Sequence, residues 1–213
     1  MYVKIRDKLI EVVIDKKKTT KNTYMRVKDD GKIYLTTNYF TSDKKIVELL
    51  ENHLEPITKM VEDQDKKQAY LKKFYYLGHV YDIVYTNINE INLGIDKVFV
   101  GRNLDINKWY LGEAKTIFKE HLDLLYRDFL YKIPYPSLKI RSMKTRWGVC
   151  HTKDYTITLN LELIKKDISC LDYVIIHELA HLVEANHKAA FWKIVSEHCP
   201  NYKEIRKHMK EYE

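Results

Sequence analysis

Glycine and proline are scarce in this chain, six and four among 213 residues, and no stretch is repetitive or of low complexity. Long disordered linkers and internal repeats are thereby excluded. Cysteine is equally sparse. Cys150, Cys170 and Cys199 form no close pair and no C-x-x-C motif, which excludes a disulfide framework and a cysteine-rich zinc knot. The odd count points to a reducing compartment. No segment approaches the roughly 20 apolar residues needed to span a bilayer, and "MYVKIRDKLIEVVIDKKK" lacks an apolar core long enough for a signal peptide. The expectation is a soluble, cytoplasmic protein without a membrane partner.

What is present is a hydrophobic fraction of 45% and a formal net charge of +7. The first is enough to bury a real core, as one large domain or two small ones. The second favours anionic partners such as nucleic acid or nucleotides, though a solvated basic surface carries the same charge. Basic residues cluster at 16–18, at Lys66-Lys67, at Lys72-Lys73 and at Lys203, Arg206, Lys207 and Lys210. They show neither aromatic interleaving nor a DNA-reading motif, so any nucleic-acid binding is unspecific.

The patterning is that of an α+β protein. Residues 1–40 read as strands, with a hairpin at Asp30-Gly31. Ser42 or Thr41 can cap a helix whose apolar positions run from Ile46 to Val61. "KKFYYLGHVYDIVY" predicts a second hairpin turning near Gly78, and "KVFVG" another strand. A helix over about 110–130 buries Ala114, Ile117, Phe118, Leu122, Leu125 and Phe129, and Pro134 and Pro136 stop it. Strands return in "SLKIRSMKTRWGVC" and "YTITLNLELI". In "TITLN", Ile157 and Leu159 face one way and Thr156, Thr158 and Asn160 the other. Ser169 and Asp172 fit a capping box for a helix to about Glu184. Further helices begin near Lys188 and span about 202–211. The expected arrangement is an antiparallel β-rich front half with one helix (1–108), then a helical, site-bearing half (109–213), with a soft boundary between them.

The segment "YVIIHELAHLVEANH", residues 173–187, carries the chemistry. His177 and His181 are four residues apart, within about 40° on one helix face, where two imidazoles can share one zinc ion. Glu178 is one step round, placed to reach a water beside that ion. H-E-x-x-H is thus a ligand pair plus a general base. The surrounding Val174, Ile175, Ile176, Leu179, Ala180, Leu182 and Val183 predict a buried helix. Ionisable groups there are costly unless paired or metal-bound. A hydrolytic zinc needs a third protein ligand. His187 is the first candidate, provided the chain bends first, and Asn186 suits a bend in the left-handed conformation. Glu184, Glu197 and His198 are the rivals.

"KTRWGVC", "ITLNLELI" and "DYVIIHELAHL…NH…FW…P.Y" together resemble the YgjP-like metallopeptidase family, related to the wider SprT-like zincins. The resemblance spans nearly the whole chain. It implies a zincin-like core with a small sheet beside the active-site helix. It also implies one zinc per chain held by His177, His181 and His187, Glu178 as base, and peptide or protein substrates. The chain departs from the family's pattern at Val149 and His151, where small serine-like residues are usual.

By the same resemblance "YTITLN" is the strand that pairs with an extended substrate, which adds Asn160 to the substrate-contacting set. Arg146, with Arg141 and Lys144, is placed to clamp a carboxylate, a phosphate or a developing oxyanion. Trp147 is expected to pack against the active-site helix. Phe191, Trp192 and Val195 are expected to hold His187 in place; Tyr202 and Arg206 match the family's tail pattern, with an oxyanion contact as the lesser reading. Two other functions share these residues. One is hydrolysis of a nucleotide phosphoanhydride by the same metal site, for which no phosphate loop is present. The other is a non-catalytic basic zinc domain that associates with nucleic acid.

Overall fold

The structure, a computed structural model, describes residues 1–210. The first strands are β1 (Tyr2–Ile5), β2 (Lys8–Lys17), β3 (Tyr24–Val27) and β4 (Ile33–Asn38). In β4 every second residue, Ile33, Leu35 and Thr37, is buried. The four strands form one sheet in the order β1-β2-β4-β3. Helix α1 (Asp43–Asn52) starts where Ser42 Oγ accepts from the Lys45 amide. The helical pattern that follows is two helices, because the chain breaks at His53 before α2 (Leu54–Leu71). Ile46, Leu50, Ile57 and Val61 from these helices close a core over the sheet with Ile10, Val12, Ile33 and Leu35.

The same strand order recurs next. β5 (Lys73–Tyr76), β6 (His79–Thr86), β7 (Ile91–Leu93) and β8 (Lys97–Gly101) form a sheet ordered β5-β6-β8-β7. The turn between β5 and β6 puts Leu77 and Gly78 at φ 47° and 83°, a hairpin geometry that suits Gly78. Both sheets are mixed rather than purely antiparallel. β2 runs parallel to β4, and β6 parallel to β8.

Helix α3 (Ile106–Arg127), capped by Asp105, buries Tyr110, Ala114, Phe118 and Leu122. Then come β9 (Ser137–Arg141), β10 (Gly148–His151) and β11 (Thr156–Asn160), with sheet order β10-β11-β9. A 3-10 turn over Leu161–Lys165 leads to α4 (Ile168–His181), α5 (Ala189–His198) and α6 (Tyr202–Lys210). The fold is α+β. No helix among the described residues is long and apolar enough to cross a membrane.

The chain divides into compact units between Lys73 and Phe74, ahead of the boundary expected near residue 108. The reason lies in the core. Phe74, Tyr81, Val98 and Val100 are buried in one cluster with Ile176 and Leu179 of α4, so β5–β8 belong with the site-bearing helices.

Two local expectations need correction. α4 is capped by Asp167, whose Oδ1 accepts from the Ser169 amide at 2.8 Å, not by a box from Ser169 to Asp172. Asp172 instead meets His121 of α3, Oδ1 to Nδ1 at 2.6 Å. And β11 lies between β10 and β9, with all five of its residues buried. Both of its edges are taken, so "YTITLN" is not open to a substrate strand. β10, paired with β11 on one side, is an outer strand of this sheet.

Candidate metal centre

Nine of the fourteen α4 residues are buried, Glu178 among them, so this helix is embedded almost all round. His177 and His181 are among its few half-buried residues. The helix then ends through short i→i+3 bonds, Leu182 to Leu179 and Val183 to Ala180, both 3.0 Å. The Glu184 carboxylate accepts from the Asn186 amide, and the Lys188 amide donates to the Asn186 carbonyl at 2.7 Å, which tightens the turn. Asn186 is not left-handed: among the described residues positive φ outside glycine occurs only at Arg6, Leu77 and Tyr155. Tight turning and the Glu184 side chain do the work expected of Asn186.

The turn brings His187 back to the helix. Its Nε2 lies 3.1 Å from His177 Nε2. Ligand atoms of His177, His181 and His187 all fall within 4.8 Å of one another. The rivals lie elsewhere. Glu197 accepts from the Tyr131 hydroxyl, and His198 joins the Leu130 amide to the Ile194 carbonyl. Phe191, fully buried on α5, touches all three imidazoles, with ring centroids 4.9, 4.5 and 4.7 Å from those of His177, His181 and His187. Trp192 stacks on His187 and donates from Nε1 to its carbonyl at 3.2 Å.

These donors fit a divalent metal ion. Two nitrogens each about 2.0–2.1 Å from a tetrahedral metal are roughly 3.3 Å apart, close to the separation of the two Nε2 atoms. Burial first, then His181 and His187, push the His177 imidazole down to about 3, so it stands ready as a neutral donor. Burial also lowers His181. His177 Nδ1 is buried with no hydrogen-bond partner. Burying that nitrogen unpaired costs free energy, as strained ligand positions do.

Glu178 is 4% exposed. Burial raises its carboxyl to about 8, against the opposing pull of Arg146. A glycine makes room for it. A Cβ on Gly148 would lie 2.8 Å from both Cδ and Cγ of Glu178. Asn160 holds the loop before that glycine. Its Nδ2 donates to the carbonyls of Met143 (2.9 Å) and Arg146 (2.8 Å), while Oδ1 accepts from the Met143 and Glu162 amides, both 3.2 Å. All four bonding positions of this buried amide are spent within the chain. The Asn160 side chain therefore holds the loop.

A cleft of about 320 Å³ opens beside His177 and Glu178, with Arg146, Trp147 and Gly148 on one side and Arg206, Met209 and Lys210 of α6 on the other. Arg141 and Lys144 are exposed and do not line it. Tyr173, one helical turn before His177, is also in its wall. It reads as a core residue in the sequence, and only its i−4 spacing from His177 signals its place.

A family model for the YgjP-like metallopeptidase domain matches residues 21–212. The chain belongs to that family. YgjP-like membership makes it a metal-dependent peptidase, hence a hydrolase whose substrates are peptides or proteins. Among solved structures it is similar to two metallopeptidase zymogens. Pyrococcus abyssi abylysin is 27% identical over 46% of this chain and 93% of that one, with TM-score 0.38. Methanocaldococcus jannaschii jannalysin is 24% identical over 46% and 94%, with TM-score 0.36. No curated protein matches significantly.

Proposed function

We propose that this YgjP-like protein is a zinc peptidase in which His177, His181 and His187 hold one ion and Glu178 is the general base. The observation that carries the reading is the convergence of three imidazoles beside a buried carboxylate. Imidazole donors at this spacing suit zinc over harder cations. When bound, the ion supplies Lewis acidity and lowers the pKa of water toward about 7. Glu178 takes the proton of the attacking water on its carboxylate and returns it to the leaving amine. Gly148 and the buried wall of α4 hold that carboxylate in place. The outer edge of β10, which begins at Gly148, offers backbone groups to an extended substrate. Three free cysteines fit a reducing compartment, the cytoplasm.

Metal analysis and peptide hydrolysis test this together. About one zinc per chain is expected, lost in His177→Ala. Glu178→Gln is expected to keep the metal and lose turnover. Full activity in that variant would remove Glu178 as the base, and a metal-free chain that cuts peptides would end the zinc reading.

A further inference from the structure

The cleft beside Glu178 is cationic on two walls. Arg146 comes from the loop that Asn160 clamps, and Arg206 and Lys210 stand one turn apart on α6. Like charges at that spacing repel each other. Among the described residues none of the three forms an ion pair with an aspartate or glutamate; the nearby pairs are His121–Asp172, Lys165–Glu162 and Lys193–Glu197. Among the described residues Glu178 is the only carboxylate in the lining, and its charge is opposed by Arg146. Arg206 is not loose. Its guanidinium carbon lies 4.9 Å from the centroid of the Trp192 ring, which itself stacks between His187 and Tyr202. The stack ties this cation to the metal-binding loop. Tyr173, Val174 and Met209 add apolar surface to the lining, the apolar floor of the cleft.

We propose that this cleft is a specificity subsite for a carboxylate carried by the peptide substrate next to the bond that is cut. It rests on the peptidase reading for its substrate. Two cations on one helix face and a third from the β10 loop, none paired with a carboxylate among the described residues, fit one carboxylate with charge-assisted bonds. The apolar floor accommodates the short stem of an acidic side chain or the last residue of a chain. At about 320 Å³ the cleft is at the small end of the range for ligand sites, about 300–1,000 Å³, and suits one or two residues.

The test uses the full-length, zinc-loaded protein and matched peptides. One pair differs as Glu against Gln beside the scissile bond, with both termini blocked. The other differs as a free against an amidated C-terminus. The expected result is a kcat/KM about tenfold or more higher for the acid of at least one pair, and the responding pair identifies the source of the carboxylate. Arg206→Gln is expected to bring that ratio close to one, and Arg206→Glu combined with Lys210→Glu to invert it. The same peptides are titrated calorimetrically into Glu178→Gln, which reads binding without turnover. Equal cleavage and equal binding within both pairs would overturn the subsite and leave the peptidase standing. Preferential binding of the acid by Glu178→Gln, with no peptide cut by the wild type, would keep the subsite and sink the peptidase. Hydrolysis of a nucleoside triphosphate that Arg206→Gln abolishes, with no preference among peptides, would assign the cations to phosphate and overturn the proposal.

Discussion

Gly148→Ala is the sharpest perturbation of the site. The added methyl carbon would stand 2.8 Å from Cδ and Cγ of Glu178, where ordinary contacts begin at 3.4 Å. Glu178 Oε1 would lie nearer still, so more than about 0.6 Å must be found, in an interior packed too densely to yield it freely. Glu178 is 4% exposed on a buried helix, so it can yield toward the cleft it lines and not into the core. Overpacking of this kind costs about 1–3 kcal/mol. That corresponds to a fall in Tm of roughly 3–10 °C for a chain of this size. The displaced base should lower kcat about 10²-fold, the order expected of a misplacement near 1 Å. The three histidines are not touched, so zinc content should stay near one. The assay is a double-mutant cycle by thermal melting, beside kcat and metal analysis. In a Glu178→Ala background the methyl has nothing to strike, and Gly148→Ala should then cost under about 0.5 kcal/mol. If it costs the same in both backgrounds, the clash is not with Glu178 and the reasoning fails.

Asn160→Ala leaves two carbonyls and two amides without their partner, and should destabilise by about 3 kcal/mol while lowering kcat through the loop that carries Arg146 and Gly148. Melting and metal content check this; unchanged stability would show that water replaces the amide. Phe191→Ala opens a cavity against all three imidazoles and should cost about 3–5 kcal/mol. Zinc affinity should fall by about 10–100-fold, the usual effect of losing a ligand's support. Competition with a chromophoric chelator reads it, and wild-type affinity in this variant would separate α5 packing from the metal site.

The legible parts of this protein were those written at short range. Helical spacing exposed the apolar stripe of α3 and the facing pair His177 and His181, because 3.6 residues per turn is a local rule. Asp30-Gly31 and Gly78 announced their hairpins for the same reason. What escaped was set by neighbours distant in sequence. β11 alternates threonine and isoleucine like a half-exposed strand, yet helices and loops cover both faces, which only the assembled fold reveals. The parallel pairings of β2 with β4 and β6 with β8 join strands that are not consecutive, and no hairpin signal marks them. Gly148 looks like any loop glycine until Glu178, thirty residues on, is brought against it. The polar face of Asn160 suggested a substrate contact, but its amide is spent inside the chain.

His187 shows how the two kinds of information meet. Its distance from the helix requires a turn, and the turn is made by ordinary backbone bonds with no special residue at Asn186. Nothing in that turn aims the ring. The aim comes from α5: Phe191 fills the space beneath the three imidazoles, and Trp192 both stacks on His187 and holds its carbonyl. Trp192 in turn stacks on Tyr202 and lies under Arg206 of α6. Metal ligand, supporting helix and cleft cation are thus one stack of rings. Binding a metal orders His187, and through the stack it should steady the wall that carries Arg206. The free energy of binding then becomes stability of the α4–α6 region. The family motif supplies two ligands and a base on one helix, while the third ligand depends on the packing of the two helices that follow.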